Sequence, residues 1–538
     1  MTDDFFGEEW TRSTIDRVAR DIRPEYFTSK RWFGSKSRTI QGCRVVDIAL
    51  LRAESGVAGL LLLEISYAAS EPEWYHVPLA FKAAHAVPAV IKDQPDGVAI
   101  VMQTPHGEVW GYDAFAEDAF CAALYQGMYD DTRLRAREHG LIFHRVPGRL
   151  DTRDVHTIKR INGEQSNTSI VYDDTFILKA FRKLSAGLNP DFEIPYFLTT
   201  HTDFRYVPKV AGFFEYDAGG ADDGETILLG VLQDFVVNDG DGYTNALSLL
   251  RAYFADVSRF IAERPDYTAQ EQADQTLRWT GTMRAAVQRL GYITGLMHNA
   301  LASNAEAPDF RPEPITRGDA EHWEADIAGL IERVIQVAPD RIGRLPDDQR
   351  ELLRPVLDNR PAFLTMVDGL HSLAEEACHK IRYHGDYHLG QVLRTGDDFV
   401  ILDFEGEPAR GLAERRAKHC PLKDVAGLLR SFNYAAYAAL FDVCEERQAD
   451  EQERAALERW ALSWEGVART AYLEGYREAT GRHSGPRFVP SDSAAFQRVI
   501  RLFEVEKAFY ELNYEFNNRP TWVPIPAKGL LRLLRGRE

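Results

Sequence analysis

Apolar positions change their spacing partway along the chain. Between Val45 and Val109, and again from about Val155 to Leu232, they form short runs separated by Gly, Pro and Asp, a pattern typical of β-strands. After about Gly240 they recur at helical intervals instead. A strand-rich first part followed by a helical second part predicts an α+β fold in which the two kinds of element are segregated.

The same pattern predicts individual elements. One face of a predicted helix carries Leu290, Ile293, Leu296 and Met297. Asp173-Asp174 separates two apolar runs in the manner of a hairpin turn. The predicted helices cover residues 11–20, 112–129, 282–301, 374–379, 423–440, 455–478 and 495–516.

Length, charge and cysteine usage narrow the class of protein. The chain has 538 residues, so two or three domains are expected. Its net charge of 63 − 82 = −19 argues against a nucleic-acid partner. The five cysteines are widely spaced, which favours a reducing compartment over a disulfide framework. The first residues are acidic and no apolar run approaches the roughly 20 residues of a membrane span, so we expect a cytoplasmic protein without membrane partners.

The strongest chemical signal is a pair of neighbouring motifs, Arg382-Tyr-His-Gly-Asp-Tyr-His-Leu-Gly-Gln391 and Val400-Ile-Leu-Asp-Phe-Glu-Gly-Glu-Pro408. Phosphoryl transfer needs a carboxylate near the attacking hydroxyl, oxygen ligands for Mg²⁺ and cations against the phosphates. Asp386, Gln391 and Asp403 match the spacing of the kinase catalytic loop and its second Asp, with Gln in place of the usual Asn. The spacing therefore indicates a kinase active site.

Nucleotide-binding groups are expected upstream, on strands. The loop at 163–169 lacks a Gly-rich pattern, but its hydroxyl and backbone N–H groups suit phosphates. Lys179 follows the apolar run 176–178, the position from which a kinase lysine reaches the phosphates. Glu193, early in a predicted helix, is the expected partner of Lys179, and residues 233–236 are interpreted as the hinge that holds adenine. The nucleotide-binding residues predicted in this way are Ser166, Asn167, Thr168, Ser169, Lys179, Glu193, Gln233 and Phe235.

Several motifs together resemble those of one family. They are Arg31-Trp-Phe-Gly34, Glu164–Ser169 with Lys179, His384–Gln391, Asp403–Pro408, Pro421–Phe432, Glu506–Glu511 and Asn518–Pro520. With them the chain resembles the bacterial maltokinases, including those fused to trehalose synthase, within the aminoglycoside-phosphotransferase-like branch of the kinase fold. The resemblance implies a bilobal protein-kinase-like fold with an extra N-terminal cap subdomain at 1–110, a nucleotide-binding lobe at 111–236 and a mainly helical C-terminal lobe at 237–538.

The resemblance also implies an activity, the ATP-dependent phosphorylation of maltose to maltose 1-phosphate, which feeds α-glucan and glycogen synthesis from trehalose. Asp386 would be the catalytic base, and Gln391 and Asp403 would bind Mg²⁺. The implied cofactors are ATP and Mg²⁺, and trehalose synthase is the implied protein partner.

A disaccharide acceptor needs hydrogen-bonding groups for its hydroxyls and aromatic faces for its rings. Residues close to Asp386 in sequence, or on the last long predicted helix, supply both kinds of group. They are His388, Glu405, Glu407, Arg410, Tyr510 and Glu511. As alternatives, the aromatic residues pack this helix onto its lobe, and Glu407 forms a structural pair with Arg410.

Other interpretations stay open at this point. Asp386 and Asp403 fit a turn and a strand end, and His384, Asp386 and His388 could form a zinc site. A glucosamine or aminoglycoside kinase would use the same motifs with carboxylates in its acceptor pocket. A catalytically inactive kinase-like scaffold for trehalose synthase is the alternative of another class. The kinase interpretation depends on Lys179, Asp386, Gln391 and Asp403 converging on one nucleotide–metal cluster.

Overall fold

A computed structural model describes residues 12–93, 97–104, 107–161, 167–219, 226–304, 306–408 and 410–536. The chain forms two compact units. The first contains the residues up to Tyr196 together with Pro208–Val236, and the second contains Phe197–Val207 and everything from Val237 onward. The predicted division at 110 and 236 into three parts stays a prediction.

The first unit is built on two antiparallel sheets. One has the strand order β1-β2-β3-β5-β4, with β11 also paired to β3, and the other has the order β6-β7-β12-β13-β10-β9-β8. The strands are β1 (Ile40–Ala53), β2 (Gly56–Tyr67), β3 (Glu73–Ala83), β4 (Val98–Thr104), β5 (Gly107–Asp113), β6 (Arg133–Arg135), β7 (Gly140–Arg145), β8 (Ile158–Ile161), β9 (Asn167–Tyr172), β10 (Phe176–Phe181), β11 (Lys183–Leu184), β12 (Val210–Asp217) and β13 (Thr226–Asp234). The helices are α1 (Arg12–Asp21), α2 (Pro24–Ser29), α3 (Ala89–Lys92), α4 (Asp118–Tyr129) and α5 (Pro190–His201), the last of which runs on into the second unit.

The run Leu60-Leu-Leu-Leu63 in β2 is apolar at consecutive positions because both faces of the strand are buried. Leu60 and Leu62 belong to the core that includes the second sheet. Leu61 and Leu63 belong to a separate core that contains Trp32 and Phe33. The Arg31-Trp-Phe-Gly34 motif thus packs one face of the first sheet.

The hairpin predicted at Asp173-Asp174 is confirmed, since these two residues join β9 to β10. Both have positive φ angles, 50° and 51°, which matches the twist of an antiparallel pair joined by a two-residue turn. The turn places Ser169 opposite Lys179 in the strand register.

The second unit is mainly helical. Its helices are α6 (Gly242–Glu263), α7 (Ala269–Trp279), α8 (Gly281–Leu301), α9 (Arg317–Ile342), α10 (Asp347–Asp358), α11 (Arg360–Val367), α12 (His371–Glu375), α13 (Leu412–Arg416), α14 (Leu422–Arg447), α15 (Glu451–Thr480), α16 (Ser493–Asn518) and α17 (Pro524–Arg535). Two short strand pairs accompany them, β14 (Glu313–Pro314) with β15 (His379–Lys380), and β16 (Val392–Thr395) with β17 (Asp398–Ile401).

Glycines allow α8 and α15 to approach closely. A Cβ added at Gly475 would lie 1.9 Å from the carbonyl oxygen of Gln288, and one added at Gly291 would lie 2.0 Å from that of Tyr472. Neither position can therefore carry a larger side chain without separating the two helices.

The α+β segregation predicted from the sequence is confirmed, with local corrections. The helix predicted at 112–129 begins only at Asp118, because the residues before it end β5. The helix predicted at 374–379 ends at Glu375, and His379 already pairs in β15. All five cysteines are free. Among the described residues, no helix combines the length and the apolar character that crossing a membrane requires.

Candidate active site

The segment between β15 and β16, residues 381–391, is called the catalytic loop here, and Asp424 of α14 holds its backbone. The Asp424 carboxylate accepts hydrogen bonds from the backbone N–H groups of His384, at 2.8 Å, and Gly385, at 2.9 Å. Its Oδ2 also lies 3.1 Å from Nε2 of the buried His298. Because hydrogen bonds to a charged acceptor are stronger than neutral ones, this buried carboxylate fixes the loop just before Asp386.

The loop also packs closely against the segment that follows β17. His384 Nε2 lies 2.8 Å from the carbonyl oxygen of Leu402. Gly385 has a φ angle of +88°, and a Cβ there would lie 3.0 Å from the Cα of Gly406. Only glycine fits this conformation and approach without strain.

Asp386 forms an ion pair with Lys507 of α16, whose Nζ lies 3.0 Å from its Oδ1. Burial opposes ionisation of the Asp386 carboxyl, but the Lys507 ammonium outweighs burial, and the pKa of Asp386 is lowered from its ordinary value. Burial likewise opposes the charge on Lys507, yet the carboxylates around it raise the pKa of this ammonium. Both groups are therefore charged at neutral pH.

The two residues predicted to bind Mg²⁺ lie together. Gln391 Nε2 donates a 2.8 Å hydrogen bond to Asp403 Oδ2. Asp403 has a φ angle of +64°, a left-handed conformation that is uncommon for residues other than glycine, although Asp and Asn adopt it more readily than most. A carboxylate oxygen of Glu405 lies within 4.8 Å of one from Asp403. The amide oxygen of Gln391 and two carboxylates thus form a group of hard oxygen donors of the kind that Mg²⁺ prefers.

Two cavities open beside Asp386, and both are lined by Asp386, Lys507 and Tyr510. The charged cavity, of about 300 Å³, also contains Glu407 and Arg410. The aromatic cavity, of about 670 Å³, has four further aromatic side chains in its wall, which are Tyr243, Tyr434, Tyr514 and Trp522. Pockets of 300 to 1,000 Å³ are typical of small-molecule sites.

Most of the predicted acceptor-binding residues line these cavities, but the acidic ones are already paired. Glu407 is hydrogen-bonded to Arg410, as the structural alternative proposed. Glu511 accepts hydrogen bonds of 3.0 and 2.6 Å from the guanidinium of Arg430. His388 lines the aromatic cavity, and burial lowers the pKa of its imidazole. Glu407 lines the charged cavity and Glu511 lines the aromatic cavity, and each carboxylate is already paired with an arginine.

The predicted phosphate-binding lysine is also paired. Lys179 Nζ lies 3.0 Å from Oδ2 of Asp191, which is buried in the first turn of α5. Glu193, the partner of Lys179 predicted from the sequence, lies two residues further along the same turn and is also buried. Asp191 thus contacts Lys179, and the pairing of Glu193 with this lysine stays a prediction. An acid at the first turn is further stabilised by the helix dipole.

The loop predicted to cover phosphates is described only from its end. Ser166 lies outside the described residues. Asn167, Thr168 and Ser169 are the first residues of β9. Thr168 Oγ1 accepts a 2.7 Å hydrogen bond from Arg182, whereas the buried Ser169 hydroxyl has no partner among the described residues. Ser169 is thus a free hydroxyl directly across the sheet from Lys179.

The predicted adenine hinge follows β13. Gln233 is buried and pairs with Ile177 of β10. The backbone N–H of Phe235 donates a 2.7 Å hydrogen bond to Thr175, and that of Asp234 donates to Lys209. These two amides are thus engaged within the first unit, so an adenine at this segment would rely chiefly on other backbone groups.

Four functional candidates were not assigned a role from the sequence, namely Asp191, Asp424, Arg430 and Lys507. Lys507 had a usable signal, because it precedes Tyr510 and Glu511 by three and four residues and so shares their helix face. Asp424 and Arg430 lie in a quoted motif, but their partners are distant in sequence. No local pattern points to those contacts.

The chain is similar to several known proteins. A family model described as the maltokinase N-terminal cap domain matches residues 26–117. A glucosamine kinase from Mycolicibacterium smegmatis is 26% identical over 378 residues, which cover 70% of this chain and 79% of that one. A glucosamine kinase from Streptacidiphilus jiangxiensis is 24% identical over 246 residues, which cover 46% of this chain and 48% of that one.

Solved structures show the fold. A glucosamine kinase in complex with glucosamine, ADP and inorganic phosphate has a TM-score of 0.62 and 19% identity, covering 96% of this chain and 98% of that one. Another crystal form of a glucosamine kinase has a TM-score of 0.63 over 96% of this chain and 99% of that one. The prediction of a kinase-like fold with an N-terminal cap is therefore confirmed.

Proposed function

We propose that the protein is an Mg-ATP-dependent sugar kinase whose acceptor is maltose, phosphorylated at its anomeric hydroxyl to give maltose 1-phosphate. The observation that carries the proposal is the position of Asp386. Its carboxylate is charged, fixed by a loop that Asp424 anchors, and exposed in the walls of two adjoining cavities. A carboxylate in this position can accept a hydrogen bond from a sugar hydroxyl and align it for attack.

The aromatic cavity favours a neutral disaccharide. Its volume of about 670 Å³ leaves room for two sugar rings, and its aromatic side chains offer faces on which such rings pack. Glu407 and Glu511 are neutralised by Arg410 and Arg430, so they offer little charge to an ammonium group. The match to the maltokinase cap domain supports the same acceptor.

The donor groups fit a nucleotide and its metal. Asp403, Gln391 and Glu405 present the oxygen atoms that would hold Mg²⁺, and Lys179 is the cation for the phosphates. Bound Mg²⁺ would neutralise the charge that develops on the transferred phosphoryl group. Lys507 keeps the Asp386 carboxylate ionised and ready to receive the hydroxyl hydrogen bond. That these groups meet at one nucleotide remains a prediction, as do the association with trehalose synthase and a role in glycogen synthesis.

Glucosamine is the second candidate acceptor, because the named relatives at 24% and 26% identity are glucosamine kinases. Its ammonium would need a carboxylate that is free to pair with it. In the described part of both cavities, Asp386 is paired with Lys507, Glu407 with Arg410 and Glu511 with Arg430, so at these three carboxylates an ammonium would compete with a cation that is already bound.

A substrate panel separates these acceptors. The purified protein with Mg-ATP is supplied with maltose, glucose, glucosamine or kanamycin, and ADP release is followed with a coupled assay. We expect turnover with maltose, a product whose phosphorus is coupled to the anomeric proton in NMR, and a loss of about 10² to 10⁴ in kcat for Asp386→Asn. Turnover with an amino sugar alone would overturn the choice of maltose. No turnover with any acceptor, in wild type and variant alike, would favour an inactive scaffold.

A further inference from the structure

A third cavity, of about 520 Å³, lies among helices α14, α15, α16 and α17 of the second unit. It is called the arginine cavity here because five arginines line it. They are Arg430, Arg469, Arg501, Arg532 and Arg535, and the acidic residues in the same wall are Glu465 and Glu504. Five arginines around one small cavity form a locally basic region in a chain whose net charge is −19.

The ion pairs of the wall do not neutralise all of this charge. Arg469 binds Glu504 through two hydrogen bonds of 2.6 Å, and Arg532 binds Glu465 at 2.9 and 3.0 Å. In the part of the chain that the structure describes, Arg501 donates only to the carbonyl oxygen of Leu533. Among the described residues, neither Arg501 nor the exposed Arg535 has a carboxylate partner. The positive charges of Arg501 and Arg535 are thus not balanced by a carboxylate among the described residues.

Arg430 connects the arginine cavity to the aromatic cavity. It lines the arginine cavity, and its guanidinium is buried. Its partner Glu511 lines the aromatic cavity beside Asp386. Gly529 of α17 provides the space for this guanidinium, because a Cβ at that position would lie 2.4 Å from one of its nitrogens. The buried ion pair therefore joins the two cavities, because Arg430 lines the arginine cavity and Glu511 lines the aromatic cavity.

We propose that the arginine cavity is a second binding site, for a small phosphate-bearing dianion, and that its occupancy weakens acceptor binding through Arg430 and Glu511. Planar guanidinium groups pair with phosphate oxygens in a bidentate manner, so several of them around one cavity select a phosphate over a monovalent anion. A dianion drawn toward Arg430 competes with Glu511 for the same donors. Glu511 is then held less firmly in the wall of the aromatic cavity, and the KM for the acceptor rises. This last effect rests on the proposed kinase activity.

Binding is tested without turnover. Inorganic phosphate and glucose 6-phosphate are titrated separately into the full-length protein in the absence of ATP, at constant ionic strength, by calorimetry. The test variant is the double substitution Arg501→Gln with Arg535→Gln, which removes no carboxylate pair. The matched control is Arg498→Gln, an exposed arginine of α16 outside the cavity wall. We expect the double variant to raise the Kd at least tenfold and the control to leave it unchanged.

Comparing the two probes identifies the ligand, and the kinase assay tests the coupling to acceptor binding. Equal Kd values would identify phosphate itself as the ligand, and tighter binding of glucose 6-phosphate would identify a sugar phosphate. No binding to wild type, or binding that the double variant leaves unchanged, would overturn the site. In the kinase assay the dianion should raise the acceptor KM of wild type and not of the double variant, and a KM that stays constant would overturn the coupling. The calorimetric titration does not need kinase activity, so it tests the arginine cavity even if the proposed function is wrong.

Discussion

The Asp424→Asn substitution tests how the catalytic loop is held. The carboxylate of Asp424 accepts two backbone hydrogen bonds, from His384 and Gly385, and contacts His298. Asparagine keeps one oxygen of the same shape but replaces the other with an NH₂ group. That group would face a backbone N–H, so one donor loses its partner in a buried position.

The expected effect follows from these contacts. A hydrogen bond to a charged group contributes about 1.5 to 3 kcal/mol, and an unsatisfied buried donor costs a similar amount. We therefore expect the free energy of unfolding to fall by about 3 kcal/mol. The loop that carries Asp386 should also shift, and a displacement of about 1 Å at a reacting group costs roughly 10²-fold in rate, or about 2.7 kcal/mol.

The assay is steady-state kinetics with the best acceptor of the panel, combined with urea unfolding. The control is Asp442→Asn, which removes a half-exposed carboxylate from the same helix. We expect kcat to fall about 100-fold for Asp424→Asn, the KM for ATP to change by less than about twofold, and the control to match wild type. If Asp424→Asn keeps wild-type kcat and stability, the carboxylate does not fix the loop and the reasoning is refuted.

Three further predictions concern single side chains. Lys507→Met should raise the pKa of Asp386, because it removes the ammonium group that lowers this pKa. The acidic limb of the pH profile of kcat/KM should therefore move to higher pH, and Lys507→Arg should restore its position. Gln391→Ala should raise the Mg²⁺ concentration needed for half-maximal activity roughly tenfold, whereas Gln391→Asn should do so less, and equal requirements would count against a metal role. Burial opposes the charge on Glu73, but hydrogen bonds, the first of them from Lys183, lower the pKa of its carboxyl group to about 2. The ionised carboxylate therefore stabilises the fold above about pH 4.5, and this stabilisation is lost as the pH falls toward 2. Glu73→Gln should lower the free energy of unfolding by about 2 kcal/mol at pH 7, less than the full pKa shift would give because solvent screens this partly exposed carboxylate. It should also reduce the dependence of that free energy on pH between 4.5 and 2, and an unchanged profile would contradict this.

Regular elements could be predicted from the sequence where local pattern decides them. The hairpin at Asp173-Asp174 and the long helices α14, α15 and α16 follow from turn residues and apolar spacing. The helix predicted at 374–379 ends early, at Glu375, and His379 instead pairs with a strand more than sixty residues earlier in the chain. Long-range pairing of this kind leaves no trace in local spacing.

In the candidate site, too, local spacing was predictable from the sequence and contacts between distant residues were not. The spacing of Asp386, Gln391 and Asp403 is local, and the structure brings Gln391 and Asp403 into direct contact. The contact of Lys179 with Asp191 was not predicted, because Asp191 and Glu193 lie in one helical turn and sequence alone does not give the rotation of that turn. Lys507 lies 121 residues from Asp386 in sequence, so its contact with the carboxylate depends on how α16 packs.

That contact changes how Asp386 should be understood in the proposed reaction. A carboxylate whose pKa is held below its ordinary value by an ammonium group is a weak proton acceptor. Strong general-base catalysis would call for a raised pKa, as burial alone would give. Phosphoryl transfer through a loose transition state needs little proton removal before the phosphorus–oxygen bond breaks, and depends mainly on alignment and charge. The Asp386–Lys507 pair is therefore suited to orient the acceptor hydroxyl, and to receive its proton only once the new bond has largely formed.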